Sequence, residues 1–175
     1  MFMVKENTVQ EERLEKIFRR VEAVYGTVPP QMAFLGNIEA DYLEEFLTAA
    51  VRLARHPHIH FDLFTFLRLY IAFREGYVYC QMFNTKMLQE KGYAQEVLDA
   101  VIEDIGMIPL DSEHQALAQF AIKTIYESIE CTAEDFDVLY AMGWTQKDVF
   151  DAIEHAGTLL RNGRILTAYS QKGVL

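Results

Sequence analysis

A chain of 175 residues, 51% hydrophobic and carrying a net charge of −10, is long enough for one domain with a substantial core. Its acidic balance works against nucleic acid or an anionic membrane surface as partner, because phosphate neutralisation needs clustered Lys and Arg. Met1–Asn7 lacks the basic start and long apolar run of a signal peptide, no apolar stretch reaches the roughly 18 residues that span a bilayer, and two cysteines are too few for a disulfide framework, so a cytoplasmic protein with free thiols is expected.

The apolar residues recur with a period near 3.6 along almost the whole chain, which predicts an all-α fold in a single domain over 1–175. Thr8 followed by Glu11 resembles a capping box, and Leu14, Ile17, Phe18, Val21 and Val24 then form one apolar face of a first helix up to Gly26. Gly26–Pro30 reads as a loop, and a second helix is expected over about Ala40–Arg55. His56-Pro57-His58-Ile59-His60 interrupts the pattern. The next segment, Phe61–Phe73, is apolar nearly all round and is either a central helix or one side of an oligomer contact. Helices are then expected from about Val78 to Lys91 before Gly92, from Ala94 to about Ile105 before Gly106, from Ser112 with Leu117, Phe120, Ala121, Ile125 and Tyr126 inward, from Thr132 to Gly143, and from Thr145 toward Tyr169.

Arg74–Asn84 has the outline of a redox motif mounted on a helix. A two-cysteine site would want a thiol at 77 and a proton-transferring histidine at 84, and the chain has Tyr77 and Asn84 around Cys80. Thr65 through Leu69, Ile71, Ala72 and Tyr77-x-x-Cys80-x-x-x-Asn84 to Gly92 together resemble the core of the alkylhydroperoxidase AhpD-like and carboxymuconolactone decarboxylase superfamily. Pro109–Glu113, Ala118-x-Phe120-Ala121, Gly143-Trp144-Thr145, Asn162-x-Arg164 and Gly26–Pro30 ahead of a helix are similar to its peroxidase-related branch, and the resemblance covers about residues 15–170.

The resemblance implies a helical bundle assembling as a homo-oligomer, a trimer or a hexamer. It also implies a Glu, two-cysteine and His proton relay reducing peroxides with electrons from a thiol or lipoyl-bearing partner, with no bound cofactor. Carried over position by position, the relay glutamate falls at Thr65, the first cysteine at Tyr77, the second at Cys80 and the histidine at Asn84. Only Cys80 keeps its type. Asn84 exchanges hydrogen bonds but accepts no proton near neutral pH, and without sulfur at 77 an oxidised Cys80 needs an outside thiol to resolve it.

Each candidate residue carries a second, structural reading. Cys80 is a nucleophile or an inert buried thiol. Glu75 is a stand-in relay carboxylate or a solvated charge at a helix end, and Tyr77, Tyr79 and Phe83 line a pocket with Thr65 or serve as packing. His56, His58 and His60, with Asp62 as a fourth ligand, would suit a metal, although Pro57 and the loop position favour three solvated histidines. His114 and His155 read as ordinary polar groups on helices, and Arg161 and Arg164 as an anion site or as partners of carboxylates. Cys80 and Cys131 could pair only if their backbones came within about 7 Å. The functions left open are a single-cysteine peroxiredoxin-type antioxidant of weak or lost activity, a redox-inactive oligomeric binding or scaffolding module, and a decarboxylase or lyase acting on a small lactone or acid.

Overall fold

The computed structural model describes residues 11–170, and among them every regular element is a helix, as expected. In chain order these are α1 Glu11–Tyr25, α2 Pro30–Ile38, α3 Ala40–Ala54, α4 Phe61–Glu75, α5 Val78–Glu90, α6 Gln95–Glu103, α7 Ser112–Tyr126, α8 Ala133–Ala141 and α9 Gln146–Tyr169, with 3-10 turns at Ile105–Met107 and Ser128–Glu130. Thr8, the expected cap of α1, lies outside the described residues. No helix among them is long and apolar enough to cross a membrane. The described residues fall into two units, 11–55 with 169 and 170, and 56–168.

In the first unit Ile17, Val21, Met32, Ala40 and Leu43 form a buried cluster with Leu14, Phe18 and Leu35 packed against it. Val24 does not join the face predicted for it and is 74% exposed, because the chain reverses at Gly26 and the last turn of α1 has left the cluster. The helix α2 was not anticipated. Pro30 at its first position needs no amide partner, and Gly36 lets α2 lie close: a Cβ there would stand 2.6 Å from Leu14 Cδ1. Glu39, in extended conformation, separates α2 from α3 by one residue.

The second unit is built around α4, in which Leu63, Phe64, Thr65, Phe66, Leu67, Leu69, Ile71 and Ala72 are all buried. Its apolar circumference is explained by burial within the chain. Gly76, at φ +73, ends α4: its N–H reaches Phe73 O and the Tyr77 N–H reaches Ala72 O at 2.8 Å, so two terminal carbonyls are satisfied and the chain reverses into α5. At the opposite end buried Asp62 accepts from Lys91 and, at 2.8 Å, from the Tyr93 hydroxyl, which clasps the start of α4 to the residues just past α5. Burial alone would raise the Asp62 pKa, but the Lys91 and Tyr93 bonds outweigh it and hold it below the usual carboxylate range.

The caps of α8 and α9 are those expected. Thr132 and Asp135 bond reciprocally, and Asp148 Oδ2 accepts from Thr145 N at 2.8 Å while Thr145 Oγ1 takes the Asp148 amide at 3.2 Å. The cap of α7 is Asp111 rather than Ser112, since the carboxylate, a stronger acceptor than a hydroxyl, takes the His114 amide at 2.8 Å and leaves Ser112 as the first helical residue. The end of α6 comes at Glu103, two residues early, because Asp104 is extended and its carboxylate caps the following 3-10 turn at Gly106. Of the α7 residues expected inward, Leu117, Phe120 and Ala121 are buried, whereas Ile125 and Tyr126 are half-buried.

Candidate functional site

Cys80 is the third residue of α5, one turn after the reversal at Gly76. Helix amides there would favour a thiolate by only about 0.3–1 kcal/mol. Burial acts the other way and is larger: it pushes the thiol up to about 11, against a lowering by the nearby Arg68 charge. Asn84, 2% exposed, lies one turn further on and donates through Nδ2 to the Cys80 backbone carbonyl at 2.7 Å, not to its sulfur. Its Oδ1 accepts from Arg68 Nε at 2.8 Å.

Arg68 is the centre of the polar site. Besides Asn84, its Nη2 donates to the fully buried Thr65 hydroxyl at 2.9 Å, and its Nη1 lies 3.2 Å from His155 Nε2 of α9. The guanidinium thus joins the two positions, 65 and 84, at which the resemblance places a relay glutamate and histidine. His155 Nε2 is also 3.2 Å from Phe64 O, so that nitrogen either accepts from Arg68 or donates to the carbonyl, depending on its proton. Phe64 packs its ring at right angles to His155, centroids 5.1 Å apart.

Neither Arg68 nor a role for His155 was foreseen. The available signal was an arginine in the middle of a mainly apolar helix, three residues from Thr65 and so on the same face. A half-buried cation needs partners, and those partners define the site.

Tyr77 points away from this network. Its ring is 5% exposed and sits over Gly163 of α9, with its hydroxyl donating to Leu160 O at 3.3 Å. Burial and then the Glu75 charge raise its pKa, while Arg164 opposes them. Glu75 is not a solvated helix-end charge: its Oε1 accepts from Tyr126 at 2.9 Å, Arg164 stands 3.9 Å from its other oxygen, and Arg74 lies 3.8 Å from the Tyr126 ring centroid. Tyr79 and Phe83, both half-buried, stack with centroids 6.0 Å apart beside Cys80. Thr65, Asn84 and Cys80 are therefore brought together through Arg68, whereas Glu75 and Tyr77 are tied to α7 and α9.

The histidines of 56–60 differ from the solvated set expected. His58 and His60 are open to solvent, but the His56 side chain is 1% exposed and donates to Asp151 at 3.2 Å. Asp62, offered as a fourth ligand, is committed to Lys91 and Tyr93. Among the described residues no three His, Cys, Asp or Glu side chains are placed to hold a metal ion. Both cysteines are free; Cys131 lies 3.6 Å from the Thr124 hydroxyl. Arg161 bonds the neighbouring Asn162 side chain at 3.3 Å.

No family profile matches the chain, and no curated protein matches it. Several solved structures share its fold, two of them as follows. One is an uncharacterized peroxidase-related protein from Silicibacter sp. TM1040, superposing with a TM-score of 0.78 at 17% identity over 93% of this chain and 85% of that one. The other, described as an alkylhydroperoxidase AhpD core and an uncharacterized peroxidase-related protein, comes from Ralstonia eutropha JMP134, with a TM-score of 0.76 at 17% identity over 98% of this chain and 93% of that one. The helical architecture expected from Tyr77–Asn84 and its flanking motifs is thus an AhpD-core fold.

Proposed function

We propose that this chain is an AhpD-like protein that has left thiol chemistry and serves as a redox-inactive, homo-oligomeric binding or scaffolding module. The observation that carries the reading is the Arg68 guanidinium bonded to both Thr65 and Asn84. A relay must pass a proton from group to group, and an arginine, always charged and donor-only, accepts none. Support also comes from Cys80, whose burial opposes the thiolate that would attack a peroxide, and from Tyr77, which supplies no resolving sulfur.

The rival reading, a single-cysteine peroxidase drawing on an external thiol or lipoyl reductant, is tested by peroxide consumption with dihydrolipoamide as reductant. Wild type and Cys80→Ser are expected to match the uncatalysed rate. Consumption clearly above background that vanishes in Cys80→Ser would remove the proposal.

A further inference from the structure

The segment leading into α4 has its backbone amides satisfied by imidazole rings. His56 Nδ1 accepts from Ile59 N at 2.9 Å and from His58 N at 3.3 Å. His114 Nε2, reaching across from α7, accepts from His60 N at 3.1 Å. His60 Nδ1 accepts from Asp62 N at 3.3 Å as the cap of α4. An amide N–H only donates, so each of these three ring nitrogens must present a lone pair. In two of the rings the opposite nitrogen carries the proton to a carboxylate: His56 Nε2 to Asp151 at 3.2 Å, and His114 Nδ1 to Asp111 at 2.6 Å. A second proton can therefore enter only at the nitrogen that holds the main chain.

We infer that residues 56–59 form an acid-released latch, in which the buried neutral imidazole of His56 holds the amides of His58 and Ile59 and lets go of them on protonation. The His58 ring itself is not part of it, since its Nδ1 faces both oxygens of Asp148 at 3.1 Å.

The charges around the three rings are mixed. His56 faces Asp148, Asp151 and Lys147 of α9; His60 faces Asp62, which is itself bound to Lys91 and Tyr93; His114 faces Asp111 and packs on the Trp144 ring at 5.0 Å. Burial, the largest influence on His56, lowers its pKa, with Asp151 opposing. A ring held neutral in the closed state takes up its proton on opening, so the latch is intact above the imidazole range and weakens as pH falls through about 6.5. Its loss would reach the Arg68 network through Phe64, whose ring lies 6.0 Å from His56 and 5.1 Å from His155.

The test is amide hydrogen exchange by NMR at about pH 7.5 and about pH 5.5, with rates corrected for intrinsic exchange. Protection at His58 and Ile59 is expected to drop about tenfold as opening frees the His56 imidazole, and protection at Leu117 in the core to drop less. Unchanged protection, or a drop no larger than that of Leu117, would overturn the latch. In His56→Asn the side-chain oxygen can accept from the same two amides at any pH, so Ile59 should stay protected in acid. An Ile59 amide that still loses protection in that variant would also overturn it, and if the variant does not fold, the wild-type comparison decides alone.

Discussion

Cys80 is expected to react with iodoacetamide at about pH 8 at least tenfold more slowly than an exposed cysteine in the unfolded chain. With its pKa moved by burial from 9.0 to about 11, the thiolate fraction at that pH falls about 100-fold. A more basic thiolate is a better nucleophile, which returns roughly a factor of ten, and the half-buried position of Cys80 takes part of that away again. The pH profile is the sharper reading. Because the folded-state pKa is raised, the rate should climb about tenfold per pH unit past pH 9 with no plateau below about pH 10. Measured in a Cys131→Ser background so that one thiol reports, a plateau near pH 7 would mean an activated Cys80 and would revive the peroxidase reading.

Gly163→Ala should destabilise the protein, although alanine in a helix interior ordinarily gains about 1 kcal/mol over glycine. A Cβ at 163 would overlap Cε2 and Cζ of Tyr77 and stand 2.6 Å from its Cδ2. That ring is 5% exposed and held by its hydroxyl bond to Leu160, so it has little freedom to yield. Overpacking of this kind costs about 1–3 kcal/mol, which outweighs the helix propensity and lowers the melting temperature by several degrees in a chain of this size. The sign should reverse once the ring is gone. In a Tyr77→Leu background, Gly163→Ala is expected to be neutral or stabilising in thermal and urea unfolding, and an equal loss in both backgrounds would show that the Tyr77 ring is not what limits position 163.

Much of the helical layout was legible because hydrophobic period and capping chemistry agree. Thr132 with Asp135, and Thr145 with Asp148, start helices where the sequence says they should. The α2 helix escaped because nine residues beginning at the second of two prolines give too few turns to establish a period, and Gly36 looks like a breaker when it is a point of close packing. At the site, Thr65 and Asn84 could be matched to relay positions by spacing along α4 and α5, but the residue that unites them could not. Arg68 belongs to no motif, and its importance lies in which oxygens surround it, a three-dimensional property. His56 was misjudged for a related reason. Alternate histidines around a proline suggest solvent, yet Asp148 and Asp151, some ninety residues away in sequence, enclose one of them.

The Arg68 cluster also has an evolutionary reading. By the resemblance, a peroxide-reducing relay in this chain would take a glutamate at 65, a cysteine at 77 and a histidine at 84, and no order of single steps toward it is smooth. Thr65 is fully buried, so a larger residue displaces its neighbours; replacing Asn84 strips Arg68 Nε of its acceptor and the Cys80 carbonyl of its donor; shrinking Tyr77 leaves a hollow over Gly163. Each single substitution is expected to cost stability, so the redox-inactive state proposed for this chain would be closed to reversal one substitution at a time.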